Sequence, residues 1–89
     1  LLLMKLPLIK HIGKFIEEND EDYILETIEV VEHITEFEGL KDEELDVLGE
    51  CLSNLYGALE VHKAVRNEGI SIKDALNGFM MRVQGSIDS

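Results

Sequence analysis

Apolar residues recur every three or four positions along most of this chain, which is the spacing of one face of an α-helix. The first such segment is predicted over residues 7–18, because Pro7 suits the first turn of a helix. A second is predicted over residues 21–37, where Asn19 or Asp20 can cap the free amide groups at its start. The expected apolar faces are Leu8, Ile9, Ile12, Phe15 and Ile16 on the first helix, and Tyr23, Ile24, Ile28, Val31 and Ile34 on the second, with Val30 and Phe37 at its edge.

Two further helices follow with short loops between them. One is predicted over residues 42–68, with acids in its first turn and bases near its end, as the helix dipole prefers. The other is predicted over residues 71–85, where Ser71 caps the start and Gly85 stops the helix. The sequence therefore predicts an all-α fold, a single four-helix domain over residues 1–89.

The third helix is longer than so small a domain needs for its own core. At a rise of about 1.5 Å per residue it extends for roughly 39 Å. Two apolar stripes run side by side along it, so we expect a central helix that is packed from two sides. The stripes are Leu45, Leu48, Leu52, Leu55 and Leu59, and beside them Val47, Cys51, Ala58, Val61 and Val65.

Small residues recur every four positions on the remaining arc of the third helix. Each glycine inside a helix costs about 0.8–1.0 kcal/mol relative to alanine, so two of them indicate that another helix backbone comes close. That helix is either the first helix of the same chain or the same helix of a second subunit; the alternative is that both glycines face solvent. Because two-fold dimers are the commonest oligomers, we expect a homodimer. The expected interface consists of Gly49, Ser53, Tyr56, Gly57, Glu60 and Ala64.

Charge is distributed unevenly along the chain, whose formal net charge is −11. Residues 17–50 contain fifteen acids and one base, Lys41, whereas residues 1–16 contain three lysines and no acid. So acidic a chain repels phosphate groups, and we expect neither nucleic acid nor an anionic membrane surface as a partner. The acidic segment would instead steer a basic protein partner toward it.

The lone cysteine and the first residues bear on where the protein acts. One cysteine forms no disulfide within the chain, so we expect a cytoplasmic protein. The opening residues lack the basic start and the cleavage site of a signal peptide, and no run approaches the roughly 20 apolar residues of a membrane-spanning helix. We expect Met4 to be the natural start and residues 1–3 to precede it.

One face of the second helix carries a spacing that can meet a divalent ion, at Glu29, His33 and Glu36. That face is almost entirely glutamate, which is typical of a solvated surface, so these three residues are weak candidates and no metal or other cofactor is expected. The Glu-Xaa-Xaa-His pairing of four-helix di-iron proteins occurs at none of the three histidines.

Cys51 and His62 are the residues best suited to redox or acid–base chemistry, and both fall on the apolar arc of the third helix. An inert core thiol and a buried or half-buried histidine are their expected states. The stretch from Cys51 to Asn54 resembles half of the Cys-Xaa-Xaa-Cys pair that proteins similar to alkylhydroperoxidase D use with a nearby histidine, but the second thiol is missing. His62 lies about 16 Å further along the helix, so only another helix or a second subunit could unite the two groups.

Three stretches carry a family resemblance: MKLPLIKHI, DEELDVLGECLSNLYGALEVHKAV and ALNGFMMRVQGSID. They cover about half of the chain and resemble a bacterial family of small, acidic, uncharacterised proteins. This resemblance implies no assigned activity, cofactor or catalytic residue. It implies genes that lie near those of thioredoxin-like and peroxide-reducing enzymes, and therefore a role beside thiol redox systems.

The sequence favours a non-enzymatic, homodimeric module that binds another protein. Leu25 and Met81 support this hypothesis, because both are apolar residues on otherwise polar arcs. The alternative is an accessory protein or minor enzyme of thiol and peroxide metabolism that uses Cys51 and His62. A third hypothesis is a small-ligand pocket between the third and fourth helices, near His62 and Phe79.

Overall fold

Four α-helices make up nearly all of residues 4–88, which are the residues that the computed structural model describes; side chains are described for residues 4–83. The predicted all-α class and the long third helix are confirmed, and residues 1–3, the expected extension before the natural start, lie outside the described range. The helices are α1 (Leu6–Glu18), α2 (Asp22–Thr35), α3 (Asp42–Glu68) and α4 (Ile72–Asp88).

The starts of the helices follow the capping chemistry of the sequence. Asp20 Oδ1 accepts a hydrogen bond of 3.2 Å from the backbone N–H of Asp22, the first residue of α2. Ser71 Oγ accepts one of 3.1 Å from the backbone N–H of Asp74 in the first turn of α4. At the other end of α3, Gly69 has a φ of 67°, the left-handed conformation that glycine adopts without a steric penalty.

Two helix ends differ from the sequence prediction. α2 ends at Thr35, two residues early, because the amides of Glu36 and Phe37 bond to carbonyls three residues back, each at 3.1 Å, and tighten the last turn. α4 continues to Asp88, past Gly85, where the sequence predicted its end. A glycine in helical conformation costs only about 1 kcal/mol, which weakens a helix without stopping it.

α3 is the central helix, because α1, α2 and α4 each pack on it and make few contacts with one another. α1 runs parallel to α3. The backbone N–H of Lys5 donates to Asn54 Oδ1 at 2.9 Å, and in the next turn a Cβ at Gly57 would lie 2.9 Å from Ile9 Cδ1. Since α1 begins at the level of Asn54 and continues toward the end of α3, it does not cover residues 42–51.

α2 runs antiparallel to α3. Near its start Glu21 pairs with Arg66 at 3.2 Å, and near its end Glu32 accepts a hydrogen bond of 3.0 Å from the hydroxyl of Tyr56. Both contacts join exposed groups, where water competes with the partners and weakens each interaction. The two contacts show the register of the two helices.

α1 lies between α4 and α2 around α3. Gly57 on α3 is close to both α1 and α4, since a Cβ there would lie 2.9 Å from Ile9 and 3.1 Å from the ring of Phe79. On the other side of α1, a groove above Leu55 is lined by residues of both α1 and α2. The buried apolar core is Ile9, Ile16, Ile24, Ile28, Leu55, Ala58, Val61, Ala64, Ala75 and Phe79.

The apolar faces predicted from the pattern are wider than the faces that become buried. The molecule measures 44 × 35 × 18 Å, and its radius of gyration of 13.9 Å exceeds the value of about 12 Å expected for a compact chain of this length. The three other helices do not enclose α3, since Leu45 and Val47 near its start stay exposed. Apolar residues expected in the core but found exposed are Leu8, Phe15, Tyr23, Ile34, Leu45 and Val47.

Candidate functional site

A groove between α1 and α2 is the first part of the candidate site. Its floor is Leu55 of α3, which is buried, and its walls are predominantly apolar. At one end the rings of Phe15 and Tyr23 meet edge to face, with their centroids 5.8 Å apart and their planes at 89°, and so join the two walls. We call this the α1–α2 groove; it is lined by His11, Ile12, Phe15, Tyr23, Ile24, Thr27 and Leu55.

A second groove lies between the end of α2 and the first turns of α3. It exists because α1 leaves residues 42–51 uncovered, so that Val47 is 65% exposed although the pattern placed it in a buried stripe. We call this the α2–α3 groove; it is lined by Ile34, Leu40, Glu43, Glu44, Val47 and Leu48.

Helix periodicity connects the two grooves into one surface. On α2, Thr27 lines the α1–α2 groove and Ile34 lines the α2–α3 groove. Val30 is exposed and lies three positions after Thr27 and four before Ile34, so it shares a helix face with both and connects the two grooves. On α3, Cys51 lies midway between Val47 and Leu55 and is itself exposed. We define the apolar trough as the joint surface of Ile12, Phe15, Tyr23, Thr27, Val30, Ile34, Val47, Cys51 and Leu55.

The charges along the trough lie mostly at one end. Glu43 and Glu44 are both exposed and line the α2–α3 groove, while His11 is the one basic residue among the described residues that line either groove. The acids occupy the first turn of α3, where the positive end of the helix dipole favours them. The trough therefore combines an apolar floor with an acidic end.

The small residues of α3 lie at contacts within the chain. Ser53, Gly57 and Ala64 are buried and Gly49 is half-buried. At Gly57 the nearest groups are the side chains of Ile9 on α1 and Phe79 on α4, not the helix backbone that the sequence predicted. α1 was one of the two neighbours that the sequence left open, and α4 was not considered. These contacts explain the glycine without a second copy. The structure contains one chain, so the homodimer stays a prediction.

Tyr56 and Glu60, the two residues expected to border that interface, are exposed on a different side of α3 from the α1–α2 groove. The Tyr56 hydroxyl donates to the Glu32 carboxylate at 3.0 Å. That hydrogen bond, with a smaller contribution from desolvation and from the negative charge of Glu32, raises the pKa of Tyr56 above its ordinary value of 10.0.

Cys51 and His62 do not come together. Cys51 is exposed near the start of α3, which corrects the expectation of a core thiol, and the cause is again that α1 does not reach this turn. His62 is half-buried about 16 Å further along the same unbroken helix. Neither a thiol–imidazole pair nor a shared metal site forms between them within one chain.

The cavity beside His62 is too small for an organic ligand. It measures about 20 Å³ and lies among apolar residues of α1, α3 and α4. A water molecule needs roughly 10–15 Å³ of such volume, so this space holds about one water. The hypothesis of a small-ligand pocket at this position is therefore not supported by its size. The cavity is lined by Ile9, Gly13, Glu17, Ala58, Val61, His62, Val65, Ile72 and Leu76.

The weak metal candidates on α2 do not assemble into a site. Glu29, His33 and Glu36 are all exposed, and within the described residues no three His, Cys, Asp or Glu side chains gather closely enough to hold an ion. None of the helices in that range is both long enough and apolar enough to cross a membrane.

A comparison with known protein families finds a match that covers most of the chain. A family model, described as a family of unknown function (DUF6952), matches residues 4–88 and so spans all four helices. Neither the curated proteins nor the solved structures contain a match to the chain. The family match agrees with the resemblance to an uncharacterised family and assigns no activity to any residue.

Proposed function

The chain belongs to this family of unknown function, DUF6952, and from its geometry we propose that it acts by binding another polypeptide chain rather than by catalysis. The observation that supports the proposal is the apolar trough. Tyr23, Val30 and Val47 are each more than half exposed on its surface, at 57%, 59% and 65%. Contiguous apolar surface of this kind on a small protein marks an interaction site more often than scattered single residues do.

The location of the trough also fits a helical partner. Its walls are helices of the same domain, and its free space lies between α1 and α2 along α3. A partner helix placed there would bury its own apolar face as the elements of a bundle do, which is the helix-in-groove mode of recognition. A second copy of this chain and a different protein both fit this general description, although the homodimer predicted from the sequence used a different face of α3.

The alternative role in thiol or peroxide metabolism has less support. It needs Cys51 to act with His62 or with a second thiol, and the chain has one cysteine, with His62 far along the same helix. An exposed thiol alone supplies neither a resolving partner nor a base.

A position-specific cross-link tests the proposal. A photoreactive phenylalanine analogue replaces Val30 in one variant and Met81 in another; both residues are exposed, at 59% and 72%, and Met81 lies on α4, outside the trough. After irradiation in lysate of the source cells, the Val30 variant should give a discrete cross-linked polypeptide that the Met81 variant does not give. No product from Val30, or the same products from both positions, would count against the proposal.

A further inference from the structure

We propose that the apolar trough binds a basic amphipathic helix of another protein. This inference rests on the proposed function and adds the chemistry of the partner. The trough has the length for such an occupant, since Tyr23 and Ile34 are eleven residues apart on α2, or about 16 Å. That distance corresponds to three turns of a docked helix, whose apolar residues would recur at i, i+4, i+7 and i+11.

The negative charge of this region favours a basic helix over a second copy of the chain as the occupant of the trough. Residues 17–50 contain fifteen acids against Lys41, and Glu43 and Glu44 line the α2–α3 groove at one end of the trough. A second copy carries the same net charge of −11, so long-range repulsion between the two chains would oppose its docking. A helix with lysine or arginine beside its apolar face would bury that face and place its cations near the two glutamates.

The two occupants also differ in their response to salt. Salt screens charges, so it weakens the docking of a basic helix and strengthens the docking of a like-charged copy. The sign of the salt dependence therefore identifies the occupant independently of the affinity.

The test uses the full chain and three labelled peptides of about 18 residues, long enough to exceed the trough. The first is an amphipathic Leu/Lys helix, the second has glutamate in place of lysine, and the third has the composition of the first in an order without an apolar face. Fluorescence anisotropy gives the affinities. We expect the first peptide to bind about tenfold or more tightly than the others, and its affinity to fall steeply between about 50 and 500 mM salt.

Variants separate apolar docking from simple charge attraction. Ile34→Asp and Val47→Asp each add a negative charge, so pure attraction would strengthen binding, whereas loss of an apolar contact weakens it. We expect each to weaken binding about tenfold, and Met81→Asp, which adds the same charge outside the trough, to leave it within about twofold. Circular dichroism confirms that each variant keeps its helices.

A second pair of variants tests the acidic end. Glu43→Gln combined with Glu44→Gln should weaken binding and reduce its salt dependence, because these carboxylates meet the cations of the peptide. The matched control is Glu60→Gln with Glu68→Gln, which removes the same charge from exposed positions that line a different groove. We expect a smaller effect on affinity and on salt dependence from the control.

The other outcomes overturn the inference. Equal binding of the scrambled peptide, or full binding by Ile34→Asp, would mean that charge alone attracts the probe. A dimer by light scattering that salt strengthens and Ile34→Asp dissociates would assign the trough to a second copy, while the proposed function would stand. No peptide binding by a monomer that also gives no cross-link from Val30 would remove both proposals.

Discussion

The side chain of Asn54 joins the start of α1 to the middle of α3. It is 1% exposed, its Oδ1 accepts a hydrogen bond of 2.9 Å from the backbone N–H of Lys5, and its Nδ2 donates one of 2.7 Å to the carbonyl of Glu50. Because this contact sets the position at which α1 begins, it also leaves residues 42–51 uncovered by α1, and residues 42–47 and Cys51 are exposed. One buried amide thus helps to define the extent of the trough.

Replacing Asn54 with alanine should destabilise the fold. The change removes these hydrogen bonds and leaves a gap at a buried position, and a loss of this kind costs about 1–3 kcal/mol. Urea unfolding followed by circular dichroism measures the free energy of unfolding. Asn67→Ala, on the exposed surface of the same helix, is the control and should change it by less than about 0.5 kcal/mol. Equal losses in both variants would contradict the structural role of Asn54.

The helices could be predicted from the sequence because capping residues and apolar spacing are local properties. Asp20 and Ser71 bond at helix starts as their positions indicate, and Ala75 and Phe79 on α4 are buried. Close packing at Gly57 could also be foreseen, but the neighbours there are the side chains of Ile9 and Phe79, whereas the sequence predicted a helix backbone.

The trough could not be predicted, because the pattern of one helix shows which residues are apolar and not how far its neighbours extend. Tyr23, Ile34 and Val47 lie on apolar faces, and their exposure depends on where α1 begins relative to α3. That relationship is a contact between residues 49 positions apart in the chain. One signal was available: the apolar face of α2 is wider than a single neighbouring helix can cover.

The glycines of α1 and α3 should respond in opposite ways to substitution. At Gly13 a Cβ would have nothing within 4 Å, so Gly13→Ala should stabilise the protein by about 0.5–1 kcal/mol through helix propensity. At Gly57 a Cβ would lie 2.9 Å from Ile9 and 3.1 Å from Phe79, so Gly57→Leu should destabilise it by about 1–3 kcal/mol or more through overpacking.

Thermal and urea unfolding of the two glycine variants give the comparison. A Gly57→Leu protein as stable as the wild type would show that α1 and α4 do not enclose this position. Loss of stability from Gly13→Ala would show that the surface of α1 is packed where the structure has it open.

The hydrogen bond between Tyr56 and Glu32 should be visible in the titration of the tyrosine. The neutral phenol donates to the carboxylate, which raises the pKa of Tyr56 in the folded protein above 10.0. The stabilisation from this bond is therefore complete below pH 10.0 and is lost as the pH rises through the folded-state pKa. Ultraviolet absorbance of the tyrosinate in a Tyr23→Phe background, where Tyr56 is the remaining tyrosine, measures the midpoint.

Glu32→Ala in the same background should lower that midpoint toward 10.0. Glu29→Ala removes an equal charge from an exposed position on the same helix and should leave the midpoint nearly unchanged. The same decrease in both variants would assign the raised pKa to the general negative charge of α2 rather than to the hydrogen bond.

Alanine substitutions at Ile28 and Val30 of α2 should distinguish a residue that stabilises the fold from a residue that forms the trough. Ile28 is 4% exposed, so Ile28→Ala should reduce the free energy of unfolding by about 2–5 kcal/mol. Val30 is 59% exposed, and Val30→Ala should change it by less than about 0.5 kcal/mol. If the two variants lose similar stability, Val30 is covered within the folded chain and the trough is not free to bind a partner. If they differ as expected, the apolar side chain of Val30 contributes little to folding, which is the condition for its use in recognition.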